Sequence, residues 1–403
     1  MKNKFILAFL IFFSSLQIFA VSSQIEKNFI KASLAEKITI VKNLKEKDLV
    51  PVTQKALDFS IENSSVLKDD KDLTNLALAC VLVLPSDAES IKSLKNSDLQ
   101  QISEKFMTIF KLFKNPELRR AIMKNLELYS GNDQSLTVLF LNDYLASAYK
   151  ANENEENVLE EAITTIGKIG DNESLSIIYN IWVSKIWDKY HEAIDDALVS
   201  LSQDSFGDAI RILSSSKIED SAHYFKILKK SDKISENSLC QIAENALLIA
   251  INNVENLSAK SEDSEKAFIG FQLDTQEVLT EHKWSHAASA INRNLLLAKK
   301  AYAKGTMGEN DFVRLIKSSV QIPSHDLSQS LTDMLSECNR KVENASSDAK
   351  VEMPAKSVVL ALITALGELG DKTAFDTLLS VTYLSYPLEV VDEAKKSLQA
   401  LNW

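Results

Sequence analysis

Glycine and proline are scarce, nine and six residues among 403, and no proline falls between Pro116 and Pro323. A sheet protein of this length would need many more turn residues, so the shortage excludes a β-rich fold. Cysteine is nearly as rare: Cys80, Cys240 and Cys338 lie far apart and are odd in number. That excludes a disulfide framework, and no Cys-x-x-Cys pair exists for a structural zinc of that type. "LALACVLVL" around Cys80 reads as a buried core thiol. Positive charge is also in deficit, with 45 basic against 56 acidic side chains and a net charge of -11. Such a chain repels phosphate backbones and anionic lipid heads, so nucleic acid is not expected as a partner. The local group Lys226, Lys229, Lys230 and Lys233 reads as a solvated helix face.

Long apolar runs are missing everywhere except at the start. Lys2 and Lys4 precede "FILAFLIFF" and "LQIFAV", and Ala20, Ser22 and Ser23 follow. Positive, apolar and small residues in that order make a secretory signal peptide over residues 1–22. Cleavage is expected after Ser22 or Ala20; the alternative is an uncleaved anchor at the short limit of a spanning helix. Losing two lysines leaves the mature chain at -13 by the same count. Export to the periplasm or envelope is therefore expected, with no transmembrane span after cleavage.

Two related nonapeptides carry the architecture. "ITTIGKIGD" runs from Ile163 to Asp171 and "ITALGELGD" from Ile363 to Asp371. Ala162, Thr165, Ile166 and Ile169 fall at i, i+3, i+4 and i+7, as do Leu362, Ala365, Leu366 and Leu369, so each set is one helix face. Gly170 and Gly370 stand where a left-handed residue ends a helix, and Asp171 and Asp371 can cap the next. That next helix keeps step: Leu175, Ile178, Tyr179 and Trp182 match Phe375, Leu378, Leu379 and Thr382. Gly167 and Gly367 sit inside the first helix, where glycine costs ~1 kcal/mol against alanine. Close approach of a neighbouring helix is their expected use. Weaker echoes place turns at Pro85–Asp87, Gly131–Asp133 and Phe206–Asp208. The turn aspartates Asp87, Asp133, Asp171 and Asp208 are 46, 38 and 37 residues apart. Two helices per ~40–47 residues is the period of an α-solenoid. The predicted fold class is all-α, a solenoid of antiparallel helical hairpins with no sheet.

The pattern of alanine, then Leu-Gly-x-Leu-Gly-Asp, then a second amphipathic helix, resembles HEAT repeats of the PBS-lyase-like subgroup, in an exported bacterial type. The resemblance covers roughly 115–215 and 355–403, and lacks the usual arginine early in each second helix. It implies structural or partner-binding repeats rather than lyase chemistry. "LLLAKKAYAKGTMGENDFVRLIKSSVQIP", with Ala298, Tyr302, Gly305 and Pro323, is similar to a single tetratricopeptide hairpin. The expected organisation is HEAT-like helices over 23–256, irregular hairpins over 257–339, a polar linker at 340–354 and a last HEAT-like repeat over 355–403.

No phosphate-binding glycine loop and no G-x-S-x-G elbow occur in the chain. In "EHKWSH", His282 and His286 could share a helix face, but Lys283 stands where a zinc protease needs glutamate. Neither a metal nor a cofactor is expected. Tyr179, Trp182, Trp187 and Tyr190 crowd into "YNIWVSKIWDKY". They read either as packing between hairpins or as anchors for a partner, since Trp and Tyr dominate interface hot spots. The functional expectation is a non-catalytic scaffold that binds another envelope protein. Its alternatives are an envelope ligand- or metal-binding protein or, further off, a lyase-type enzyme.

Overall fold

A computed structural model describes residues 24–67, 70–204, 206–256, 262–345 and 352–401. The expected signal peptide lies outside these residues, as do the centres of the two polar stretches after Asn256 and Ala345. Among the described residues every regular element is a helix. The chain divides into two compact units, Met1–Leu201 and Ser202–Trp403.

In the first unit α1 spans 24–31, followed by α2 (Leu34–Lys42), α3 (Glu46–Asn63), α4 (Lys71–Val83) and the short α5 (Ala88–Lys92). Then come α6 (Asn96–Leu112), α7 (Pro116–Tyr129), α8 (Ser135–Ala151), α9 (Glu156–Ile169), α10 (Asn172–Ser184) and α11 (His191–Asp204). Local chemistry sets many of the ends. Ser33 and Glu36 form a reciprocal capping box on α2, and Asn115 caps α7 with Pro116 at its first position. Asp171 and Ser174 cap α10 in the same reciprocal way. Helices pack in two rows: α2, α4, α7 and α9 successively in one, α3, α6, α8 and α10 in the other. Passing over the short α5, each helix rests on the next but one, which is the stacking of a solenoid.

The second unit repeats the scheme with α12 (Phe206–Ser215), α13 (Ile218–Lys230), α14 (Glu236–Asn256), α15 (Glu262–Glu281) and α16 (Ala288–Ala303). It continues through α17 (Glu309–Ser319), α18 (His325–Ala345), α19 (Lys356–Leu369), α20 (Phe375–Val381) and α21 (Leu388–Ala400). Odd-numbered helices from α13 to α21 form one row and even-numbered helices from α12 to α20 the other. In the tetratricopeptide-like hairpin, Gly305 is left-handed at φ +76° and Tyr302 stacks on Phe312 at 4.9 Å. Helix α18 runs on to Ala345, so the first part of the expected linker is helical.

Side-chain bonds between successive members of a row report the period directly. Thr165 to the Met123 carbonyl, Lys168 to Glu127, Gln276 to the Leu315 carbonyl and Asn339 to the Thr377 carbonyl link residues 42, 41, 39 and 38 positions apart. Both internal glycines admit a neighbour. A Cβ on Gly167 would lie 2.8 Å from Ala197 Cα, and one on Gly367 would lie 2.5 Å from Ser397 Oγ.

Two turn assignments need correction. Gly370 ends α19 in the left-handed region at φ 65°, but Gly170 ends α9 extended at φ -69° and ψ 175°. The Asp171–Ser174 box pulls the chain straight into α10, which leaves no room for a left-handed residue. Phe206–Asp208 is not a turn; it is the first turn of α12, where Asp208 pairs with Arg211 at 2.7 Å.

Candidate interaction surface on the first unit

The acidic connection from α8 to α9 is held from both sides. Asn152 turns the chain in the left-handed region at φ 51°. Before it in sequence, Arg119 pairs with Glu155, and its guanidinium lies 3.9 Å from the Phe110 ring centroid. Tyr144 donates its hydroxyl to Glu155 Oε2 at 3.1 Å; burial and then Glu155 itself push that phenol well above its ordinary range. From the other side, Trp187 Nε1 donates to the Glu153 carbonyl at 3.1 Å and Tyr190 donates to the Glu156 carbonyl at 2.6 Å. Lys189 adds an ion pair to Glu156 at 2.8 Å. Its hydrogen bond holds the Glu156 carboxyl below the usual carboxylate range.

This geometry corrects the reading of the aromatic cluster as a set of exposed anchors. Trp187 is only 3% exposed, and Tyr179 and Tyr190 are also buried. Each ring fills space between helices, and the polar tips of Trp187 and Tyr190 satisfy backbone carbonyls of the neighbouring hairpin. Trp182 alone is half-buried. Its indole N–H donates to Asp195 Oδ1 at 3.1 Å, and its ring leans on Tyr179 at 5.6 Å between centroids. The exposed apolar side chains are its neighbours, which sequence reasoning passed over: Val183 at 38% and Ile186 at 42%. Periodicity could have found Val183, which falls one step off the buried face set by Leu175, Ile178 and Trp182. Ile186 follows the left-handed Lys185 and so escapes helical periodicity altogether.

Asp171 closes the far end of α10. Burial raises its carboxyl, but hydrogen bonds from the Ser174 backbone and side chain and from Asn142 outweigh that and hold it below its ordinary value. Asp371, at the second copy, accepts from the Thr373 backbone at 2.9 Å and contacts His325 Nδ1 at 2.9 Å, which together lower it as well.

Elsewhere the chemistry is quieter. His282 and His286 do not share a helix face: α15 ends at Glu281, Lys283 is left-handed at φ 49°, and His286 sits in a 3-10 turn. Trp284, between them, donates to Glu244 Oε2 at 2.7 Å and so holds the turn in this shape. No group of three or more His, Cys, Asp or Glu among the described residues is placed to hold a metal ion. Cys80 is buried, and burial pushes its thiol far up; Cys240 and Cys338 are pushed up to about 11. Lys229, from the basic group, pairs with Asp274 at 3.1 Å and with Glu277, which also takes Arg314 at 2.8 Å. That cation therefore serves the stacking of α13, α15 and α17. Among the described residues no helix is long and apolar enough to cross a membrane.

No protein-family profile matches the chain, and no curated protein matches it. Among solved structures it is similar to one titled "Circular tandem repeat protein with novel repeat topology and enhanced subunit contact surfaces". The identity there is 12%, over 95% of this chain and 75% of that one, at a TM-score of 0.16. A second, titled "Computational Design of Self-Assembling Cyclic Protein Homooligomers", is 11% identical over 87% of this chain and 93% of that one, at a TM-score of 0.11. Such TM-scores indicate no common superposition, and the solenoid assignment rests on the row packing above.

Proposed function

We propose that the protein is an exported, HEAT-like scaffold without catalytic turnover, and that it binds another envelope protein at the corner where α10 passes into α11. One observation carries this reading: a firmly clamped corner displays apolar side chains. Trp187 and Tyr190 fix the turn to the hairpin before it, while Val183 and Ile186 stay exposed beside half-buried Trp182. A surface already ordered loses little entropy on binding, so its apolar contacts convert more fully into affinity. Stacked helical pairs with exposed ridges serve other proteins as platforms for partners, which is a fold-level analogy.

The test is affinity capture from the native envelope with wild type, V183D/I186D and the control L136D/L139D, whose leucines on α8 are more exposed still. V183D/I186D should lose the captured protein with its melting curve unchanged, and the control should keep it. Equal capture by all three would place the contact elsewhere.

A further inference from the structure

The corner's apolar residues stand in the most acidic part of the chain. Residues 151–200 hold eleven acidic and three basic side chains, a net of -8 out of -11 for the whole sequence. Part of this charge comes together at the α10–α11 turn, while Asp171 and Glu173 stand at the opposite end of α10. The bonds from Trp187 and Tyr190 to the Glu153 and Glu156 carbonyls bring the start of α9 beside the α10–α11 turn. Glu153, Glu160, Asp188 and Glu192 are exposed on these two segments. Of the nearby cations, Lys189 is engaged with Glu156 and lies 4.9 Å from the Tyr190 ring centroid. Lys185 remains exposed on the turn.

We infer that the occupant of this corner is a basic amphipathic protein segment, with apolar side chains seated on Trp182, Val183 and Ile186 and Lys or Arg facing the surrounding carboxylates. The inference rests on the scaffold reading above and names its partner class. Charge complementarity selects the occupant. An acidic segment or an anionic lipid surface is repelled at the approach, whereas a basic segment is steered in and held in register. The matching corner of the second unit supplies the contrast, apolar exposure with less negative charge around it. Tyr383 and Leu388 are each 81% exposed there, yet residues 351–400 carry seven acidic and four basic side chains.

The experiment uses two labelled amphipathic peptides of equal length, one built from Lys and Leu and one from Glu and Leu, titrated by fluorescence anisotropy. The Lys/Leu peptide should bind wild type with an affinity that falls as salt rises. Either V183D/I186D or D188K/E192K should weaken it about tenfold, the scale of a hot-spot or close-charge loss. The milder D188N/E192Q should weaken it less, and Y383D/L388D should leave it unchanged. The Glu/Leu peptide should not bind. Equal Lys/Leu binding by every variant would mean diffuse attraction to an acidic surface and would overturn the inference, as would no binding to wild type. Capture of a native partner that is lost in V183D/I186D but kept in D188K/E192K would overturn the basic-segment inference and leave the scaffold reading standing.

Discussion

The two copies of the repeat nonapeptide keep their packing and lose their turn. At a fixed offset of 200 residues, Gly167 faces Ala197 and Gly367 faces Ser397, and Asp171 and Asp371 each cap the helical turn after them. Past the cap the copies part. In the first, α10 runs thirteen residues and leads to the buried Trp187; in the second, α20 runs seven and Pro387 stands where Trp187 would be. Close approach of one helix to another tolerates almost no change, because a Cβ at either glycine would meet atoms inside contact distance. A connection on the surface tolerates a great deal, and specificity can be built there.

Several substitutions would break or sharpen this comparison. The largest effect belongs to the clamp found only in the first copy: Trp187→Ala should cost ~3–5 kcal/mol of unfolding free energy, read by chemical denaturation. Leu366→Ala, fully buried in α19, should cost ~2–5 kcal/mol in the second unit. Next come the glycines. Gly167→Val and Gly367→Val should each cost ~1–3 kcal/mol through overpacking. Relief should differ between them. Ser397→Gly should recover part of the loss in G367A, since the nearest atoms are the Ser397 side chain. Ala197→Gly should recover little in G167A, since the Ala197 Cα itself lies at 2.8 Å.

The turn glycines separate by substituent, on a scale of ~1 kcal/mol. At left-handed Gly370, Asn should be better tolerated than Ala. At Gly170, Asn should be no better than Ala, because any Cβ would lie 2.4 Å from the Ile166 carbonyl oxygen. The smallest effect is in pH. Asp171 and Asp371 both have folded values below the unfolded ~3.9. Their contribution is thus fully present above about pH 4 and is lost as pH falls through the lowered folded values. D171N and D371N should each flatten the acid limb of the stability curve, since each removes a carboxyl held below its ordinary value by hydrogen bonds. An acid limb unchanged in both variants would contradict this.

Much of the frame was legible in the sequence. Helical spacing, the Gly-Asp punctuation and a period near forty residues gave the hairpins, and Gly167 and Gly367 pointed to close approach. Other parts were hidden for physical reasons. Gln272, Gln276 and Asn294 are fully buried, with Gln272 Nε2 donating to Asn294 Oδ1 at 2.7 Å and Asn294 Nδ2 to Gln276 Oε1 at 2.8 Å. An amide chain of that kind reads from periodicity as a solvent face, because its partners come from other helices. The aromatic cluster was found but its facing was not. Trp187 and Tyr190 bond to carbonyls 34 positions earlier, and no local pattern reports a contact across repeats. The extended Gly170 was missed because the cap after it, not the glycine, decides the backbone there.

The most direct measurement is photocrosslinking in the native cell, with a photoreactive aromatic amino acid placed at Ile186 or, in the second copy, at Tyr383. The account predicts one discrete protein adduct from position 186 and none from 383, although 383 is the more exposed. Adducts from 383 with none from 186 would contradict it.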